Sequence, residues 1–339
     1  MESNSRFVIV GGGQAGGCAA RAMREYGFEG EIILVADEAY LPYERPPLSK
    51  NVLLGKDDYQ STYINDEHWY ASHNVQVKLN TRVSAIDCDR KLLTTNTGES
   101  ISYDKLLLAT GGRVRRLPIE GAELEGVNYL RGIDDAESLK TQMASARSLI
   151  GIGAGFITLE IAAVARTLGL DVTLLEKMPA ILDRVFEHDV AERIESLHGV
   201  HGVVFRTGVN VEEIVGDKGK VTGVKLAGGE IISADVVVIG IGIIPNTELA
   251  EEAGIEVNNG IVVNEYGETS IDDVYACGDI TNHYSPLYDK NMRLECWQNA
   301  QDQSAAVVQS MLGNVSSYRS VPWFWSDQYD MNLQMAGIT

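Results

Sequence analysis

Gly11, Gly13 and Gly16 follow directly on the apolar run Phe7-Val8-Ile9-Val10, and an imperfect copy, Gly153, Gly155 and Thr158, follows Ser148-Leu149-Ile150. Glycines at this spacing behind a buried strand allow a tight turn and a close backbone approach to a ligand. A helix opening near Gln14 then aims its free N–H groups and positive dipole end at an anion. A pyrophosphate fits such a turn when an acid stands about 20 residues on to accept hydrogen bonds from a ribose. Asp37 and Glu38 stand there in the first copy, after Glu31-Ile32-Ile33-Leu34-Val35, and Glu176 in the second, after Asp171-Val172-Thr173-Leu174-Leu175. Two dinucleotide sites in one chain point to electron transfer. A carboxylate at Glu176 repels a 2′-phosphate, so the second site reads as one for NADH rather than NADPH, with Lys177 beside it softening the discrimination. Thr158 takes the place of the third glycine, and a β-branched residue there is expected to push the helix away from its strand.

The elements that must position these residues are legible in outline. The spacing predicts strand, helix and strand up to Val35, a proline-rich loop through Pro42, Pro46 and Pro47, and a polar helix near Asp66 to Ser72. Arg82 to Ile86, Lys91 to Thr95 and Ser100 to Tyr103 read as β-strands around the Thr97-Gly98 turn, and Lys105 to Ala109 as a buried strand ending in Ala109-Thr110-Gly111-Gly112. A second strand–glycine–helix unit starts at Arg147. Ile157, Ile161, Val164, Ala165 and Leu168 mark one face of its helix. Ala234 to Gly242 is a very apolar strand. Thr269 to Asp279 reads as a buried strand that delivers Asp279 to its carboxyl end, where a ribityl chain would find a hydroxyl acceptor. A long helix follows, from about Gln298 to Met311, ending at Gly313.

Composition narrows the field. The 339 residues suffice for about two domains, and 45% hydrophobic content is ordinary for a folded soluble chain. The longest apolar stretch, Val236 to Ile244, holds two glycines and is far shorter than a membrane span. No signal core precedes the first strand, so a cytoplasmic location is expected. With 28 basic against 48 acidic residues the net charge is −20, which disfavours nucleic acid as a partner. Cys18, Cys88, Cys277 and Cys296 form no C-x-x-C pair, and His198 and His201 stand without a ligand pattern, so neither a redox dithiol nor a metal site is expected.

Eight segments together carry a resemblance: GGGQAGG, LPYERPPLSK, ATGG, IGAGFITLE, GIGIIPNTELA, VYACGD, ECWQNAQ and VPWFWSDQYD. The chain resembles the two-dinucleotide-binding flavoproteins and, within them, the NADH-dependent ferredoxin reductases that serve bacterial aromatic-ring dioxygenases and cytochromes P450. The resemblance implies an α/β fold with two Rossmann-like domains, the NAD domain inserted into the FAD domain. Residues 1–115 and 244–316 would form the FAD domain, 116–243 the NADH domain, and 317–339 the start of a truncated C-terminal α/β domain. That last piece is expected to be a lone strand without partners, and the chain a fragment or an incomplete gene product, with replacement of the domain by another chain or by self-association as the alternative.

The resemblance also implies roles. FAD falls to Gly11, Gly13, Gln14, Ala15 and Gly16 of the first loop, with Asp37 and Glu38 for its ribose. Arg45, Lys50, Val83, Ala109, Thr110, Gly111, Arg115 and Asp279 complete that site. NADH falls to Gly153, Gly155, Phe156, Ile157, Glu160, Glu176 and Gly242, while Trp297 and Trp325 are implied beside the flavin. The implied reaction passes hydride from NADH to FAD and single electrons on to a [2Fe-2S] ferredoxin that feeds an oxygenase of aromatic catabolism. Lys50 and Glu160 are the implied catalytic pair, a cation that stabilises anionic reduced flavin and its counter-charge; a buried structural ion pair is the alternative reading. Arg113, Arg115, Arg116, Lys290 and Arg293 are candidates for steering the acceptor. Rubredoxin reductase, NADH oxidase, a redox-sensing interaction protein and an inactive pseudo-reductase remain open, as does a homodimer.

Overall fold

Buried apolar runs of four to five residues build the framework of the computed structural model, which describes residues 5–338; residues 1–4 and 339, at the outer ends of the first and last expected segments, lie outside the described residues. The first unit contains β1 (Arg6–Val10), α1 (Gln14–Glu25), β2 (Glu31–Val35), β3 (Val75–Lys78) and β4 (Lys105–Leu108). The second contains β5 (Val127–Asn128), α2 (Ile133–Met143), β6 (Ser148–Ile152), α3 (Phe156–Thr167), β7 (Asp171–Leu175), α4 (His188–Val200), β8 (Val203–Arg206) and β9 (Val236–Ile239). The chain then returns through β10 (Val274–Ala276) and α5 (Trp297–Met311) and closes on β11 (Trp323–Gln328) and β12 (Met331–Ala336).

Two parallel five-stranded sheets result, in the orders β10-β4-β1-β2-β3 and β8-β7-β6-β9-β5. Strands buried on both faces need continuous apolar sequence, which explains why β1 and β6 show runs rather than alternation. One face of the first sheet packs on α1 and α5, and the other on an antiparallel meander of residues 83–87, 92–95 and 100–102. The second sheet repeats the plan with α3 and α4 on one face and the meander of residues 211–217, 220–226 and 231–233 on the other. The architecture is the mixed α/β one expected, and the whole second sheet is built from chain lying between β4 and β10. At the junction, Gly112–Val114 pairs antiparallel with Ile243–Pro245, and Thr110 and Asn246 exchange hydrogen bonds of 3.1 and 2.8 Å.

Three expectations change in detail. The strand read over Thr269 to Asp279 shrinks to β10, because Ile271 to Val274 make a turn in which Asp273 adopts φ +61°. The C-terminal segment is a hairpin rather than a lone strand: six residue pairs run from Trp323↔Ala336 to Gln328↔Met331, with Tyr329 at φ +57° in the turn. Phe324 lies against Phe156 of α3 at a ring distance of 4.4 Å, and Met331 and Leu333 join the core of the second unit.

Thr158 does not splay its helix. In the first unit Gly16 is compulsory, since a Cβ there would stand 1.9 Å from the Gly11 carbonyl oxygen, and Ile9 fills the strand beneath. The second unit reverses the sizes. Thr158 is buried, and the strand below it carries Gly151, whose Cβ would stand 2.6 Å from Thr158 Cγ2. Gly240 gives the remaining room, because a Cβ there would reach 2.1 Å from Thr158 Oγ1. Side-chain volume has moved from strand to helix. We expect Thr158→Gly to lower stability by about 1–3 kcal/mol, through a cavity and a weaker helix. Gly151→Val should also destabilise on its own, and the double variant should recover part of both losses in denaturant unfolding; additive losses would show that the two positions are not a packing pair.

Candidate functional site

A cleft of about 840 Å³ opens along the carboxyl ends of the first sheet, the position that parallel α/β sheets reserve for ligands. Its floor is the loop Gly11–Ala15. Gly11 sits at φ +125°, and a Cβ there would lie 2.1 Å from the Ala109 carbonyl, so only glycine lets this loop cross beneath β4. Gly13 caps α1 with no side-chain hydrogen bond and with open space where a Cβ would be, leaving the helix N–H groups aimed outward. Gly16 lies behind this wall as a packing residue. Asp37 and Glu38 follow β2, Val83 comes from the meander, Ala109, Thr110 and Gly111 follow β4, and Asp279 follows β10; all line the cleft.

The electrostatics of one wall are set by four charges. Arg45 donates to Glu38 at 2.6 Å, to the Tyr43 hydroxyl at 2.8 Å and to the Arg131 carbonyl at 2.6 Å. Burial pushes the Glu38 carboxyl up, but Arg45 and the Tyr43 hydroxyl outweigh it and hold the group below the usual carboxylate range. Tyr43 itself is pushed up by burial and by Glu38. Arg131, whose guanidinium stands 3.4 Å from Asp279, is pushed down by burial and by the nearby Arg45 charge. Two half-buried guanidinium groups facing one cavity favour an anionic occupant.

Lys50 closes the Pro46–Ser49 turn and places Nζ 3.0 Å from Glu160 Oε1 and 3.2 Å from the Pro46 carbonyl. Glu160, only 3% exposed, comes from the first turns of α3 in the other unit and also accepts from Ser49 and Ser326. Ile157 of the same helix lines the cleft. Trp297 and Trp325 line it too, edge to face at 5.5 Å, with Lys50 Nζ 5.9 Å from the Trp325 ring and Trp323 stacked outside.

Other predicted residues fall elsewhere. Gly153, at φ +91°, Gly155 and Phe156 form the second loop and helix start outside the cleft wall. Glu176 accepts from the backbone N–H of Ala154 at 2.7 Å and of Met178 at 2.8 Å, so its carboxylate is fixed at that loop. The first unit has Ala36 at the corresponding place, packed against Gly12, and its acid comes one residue later as the exposed Asp37. Arg115 is exposed and lies outside the cleft, its backbone N–H bonded to the Gly242 carbonyl at 2.9 Å beyond the junction ribbon. The cation that joins Arg45 on the wall is Arg131, which sequence reasoning missed. Its signal is the pair Arg131-Gly132 just ahead of α2, where Asp135 caps both backbone N–H groups at 2.9 Å. Gln303 was missed as well; it accepts from the Gly278 N–H at 2.8 Å and the Thr281 hydroxyl at 3.0 Å, holding the turn that presents Asp279.

The residues fit a bound FAD. The glycine cradle has no room for a side chain at Gly11 or Gly12, the facing groups are cations and hydroxyl acceptors, and three buried polar atoms at this cleft, Gln14 Oε1, Arg131 Nε and Trp297 Nε1, have no partner among the described residues. All four cysteines are free, burial pushes Cys18 and Cys296 up to about 11, and no group of three metal-ligating side chains occurs among the described residues. No helix among the described residues is long and apolar enough to cross a membrane.

Comparison with known proteins agrees with this geometry. Residues 5–304 match the family described as pyridine nucleotide-disulphide oxidoreductase, and residues 323–339 match the reductase C-terminal family. The chain is 44% identical over 333 residues to the rhodocoxin reductase of Rhodococcus erythropolis, covering 98% of this chain and 78% of that protein. It is 41% identical over 344 residues to the putidaredoxin reductase of Pseudomonas putida, covering 100% and 82%. Among solved structures, the covalent putidaredoxin reductase–putidaredoxin complex superposes with a TM-score of 0.97 at 40% identity, over 99% of this chain and 82% of that one. The chain thus belongs to the pyridine nucleotide-disulphide oxidoreductase family and is an oxidoreductase that uses FAD and NAD(H).

Proposed function

We propose that this protein is the reductase of an oxygenase system, passing reducing equivalents from NADH through FAD to a [2Fe-2S] ferredoxin. The observation that carries the reading is the Lys50–Glu160 pair: one partner from each dinucleotide unit, meeting at 3.0 Å on the wall of the cleft. FAD, when bound, accepts a hydride from NADH and releases electrons one at a time. The chain's own task is positional. Asp37 and Asp279 would accept from ribose and ribityl hydroxyls, Arg45 and Arg131 would balance the anionic part of FAD, and the N-terminus of α1 would hold its pyrophosphate. Gly153, Gly155 and Glu176 would hold NADH on the second unit, with Glu176 already oriented by two backbone N–H groups. Lys50 would supply a fixed positive charge on the cleft wall, and Trp297 with Trp325 would shield it from water.

The relatives named above for rhodocoxin and putidaredoxin support a small redox protein as acceptor. Two of the local cations are partly neutralised, Arg113 by Glu248 at 2.6 Å and Arg293 by Glu295, while Arg116 lies over the Tyr129 ring and keeps its charge. Arg115, Arg116 and Lys290 are exposed and have no salt-bridge partner among the described residues, and we assign steering to these cations. We further read the protein as cytoplasmic; sedimentation would separate a monomer from a homodimer.

The purified holoenzyme should be yellow and bleach on anaerobic addition of NADH; a yellow protein that does not bleach would be a pseudo-reductase. Lys50→Gln should slow flavin reduction about 10–100-fold in stopped flow, and an unchanged rate would assign the pair a structural role only. Ferredoxin-dependent cytochrome c reduction should fall as salt rises from low to physiological ionic strength; a flat profile removes the steering patch.

A further inference from the structure

On the side of Glu160 away from the cleft, the terminal hairpin contributes a file of polar side chains. Ser326 and Gln328 of β11 and His198 of α4 are each 0% exposed. Ser326 Oγ stands 2.6 Å from Glu160 Oε1, Gln328 Nε2 is 3.0 Å from Ser326 Oγ, and Gln328 Oε1 is 2.8 Å from His198 Nε2. The Tyr329 hydroxyl ends the file, 3.5 Å from His198 Nδ1. A carboxylate only accepts, so Ser326 must donate to it, which leaves the serine oxygen to accept from the Gln328 amide N–H. The Gln328 carbonyl then accepts from His198 Nε2–H, and the imidazole is neutral with its proton on that nitrogen. Burial holds the His198 imidazole below its ordinary range, which agrees with a neutral ring. Turning the Gln328 amide over would point its carbonyl at Ser326, draw the serine proton away from Glu160 and set an amide donor against the imidazole donor. Every donor in the file therefore points toward Glu160.

Apolar contacts already dock the hairpin, through Phe324 on Phe156 and through Met331 and Leu333. A buried polar file adds little to docking that hydrophobic side chains of the same shape would not. It does add orientation. We propose that Ser326, oriented by Gln328 and His198, is a positioning residue for hydride transfer: it fixes the Glu160 carboxylate and, through it, the Lys50 ammonium on the cleft wall. Ser49 does the same from the other carboxylate oxygen. The terminal hairpin is thereby part of the reaction machinery of the cleft. This inference rests on the reductase reading above.

Ser326→Ala removes one donor to Glu160 and leaves more of its negative charge unshielded beside Lys50. The flavin midpoint potential should become more negative, and the limiting rate of flavin reduction by NADH should fall about tenfold, with the apparent Kd for NADH and the FAD content unchanged. Ser326→Thr, which keeps the hydroxyl, should restore both, and Gln328→Leu should give the same changes in smaller measure. If Ser326→Ala does not retain FAD, Ser49→Ala reads the same carboxylate from its other side. A variant with lowered melting temperature but wild-type rate and potential, or with a potential shifted positive, overturns the proposal. Bleaching of the wild-type protein by NADH, measured alongside, tests the reductase reading separately.

Discussion

A buried carboxylate must be matched by donors, and Glu160 finds them in two stretches of chain far from it in sequence. Lys50 and Ser49 come from the proline turn of the first unit, Glu160 from the second, and Ser326 from the terminal hairpin. A carboxylate that is 3% exposed would be costly alone. Its partners can reach it only when the two units and the hairpin take up one mutual arrangement. The charge therefore acts as a registration mark. Apolar packing brings these surfaces together without choosing a register to a fraction of an ångström, whereas a lysine, two serines and one carboxylate do choose it. The cleft wall that depends on this register is the one that carries Trp297, Trp325 and the Lys50 ammonium.

The two dinucleotide units show how one topology tolerates different local solutions. Both need a strand, a positive-φ glycine and a helix pressed close to the sheet. The first achieves the close approach with Gly16 over Ile9, the second with Thr158 over Gly151. The acids differ too: Glu176 is locked to its loop by backbone N–H groups, while Asp37 stands exposed one position later, because Ala36 must be small against Gly12. The motif is thus a volume rule shared between strand and helix rather than a rule about one residue.

Much of this was legible from local pattern. The glycine loops, the apolar runs of β1, β6 and β9 and the helix over Trp297–Met311 are set by short-range sequence, and the structure has them where periodicity and turn chemistry put them. What was not legible depends on meetings across the fold. Thr158 looked like a defect because Gly151 and Gly240 lie outside the motif. Arg131 was hidden because no spacing links it to Arg45 or Asp279, whereas Arg115, adjacent to a recognisable segment, drew attention and stands outside the cleft. The hairpin partner β12 pairs through the two-residue turn Tyr329-Asp330, in which a tyrosine takes a positive-φ position that glycine or asparagine usually fills, so its second strand gave little local signal.

The ribbon formed by Gly112–Val114 and Ile243–Pro245 carries a mechanical consequence. The chain leaves the first sheet and comes back to it through two strands bonded to each other, braced by the reciprocal Thr110–Asn246 hydrogen bonds. Entry and exit share one leaf, as in a door hung on a single hinge. A rotation of the second sheet about that leaf keeps both crossings paired, whereas a sliding displacement would have to break them. Were the Glu160 contacts released, the freedom left to the two nucleotide carriers would be angular, and the travel of a bound group would grow with its distance from the leaf.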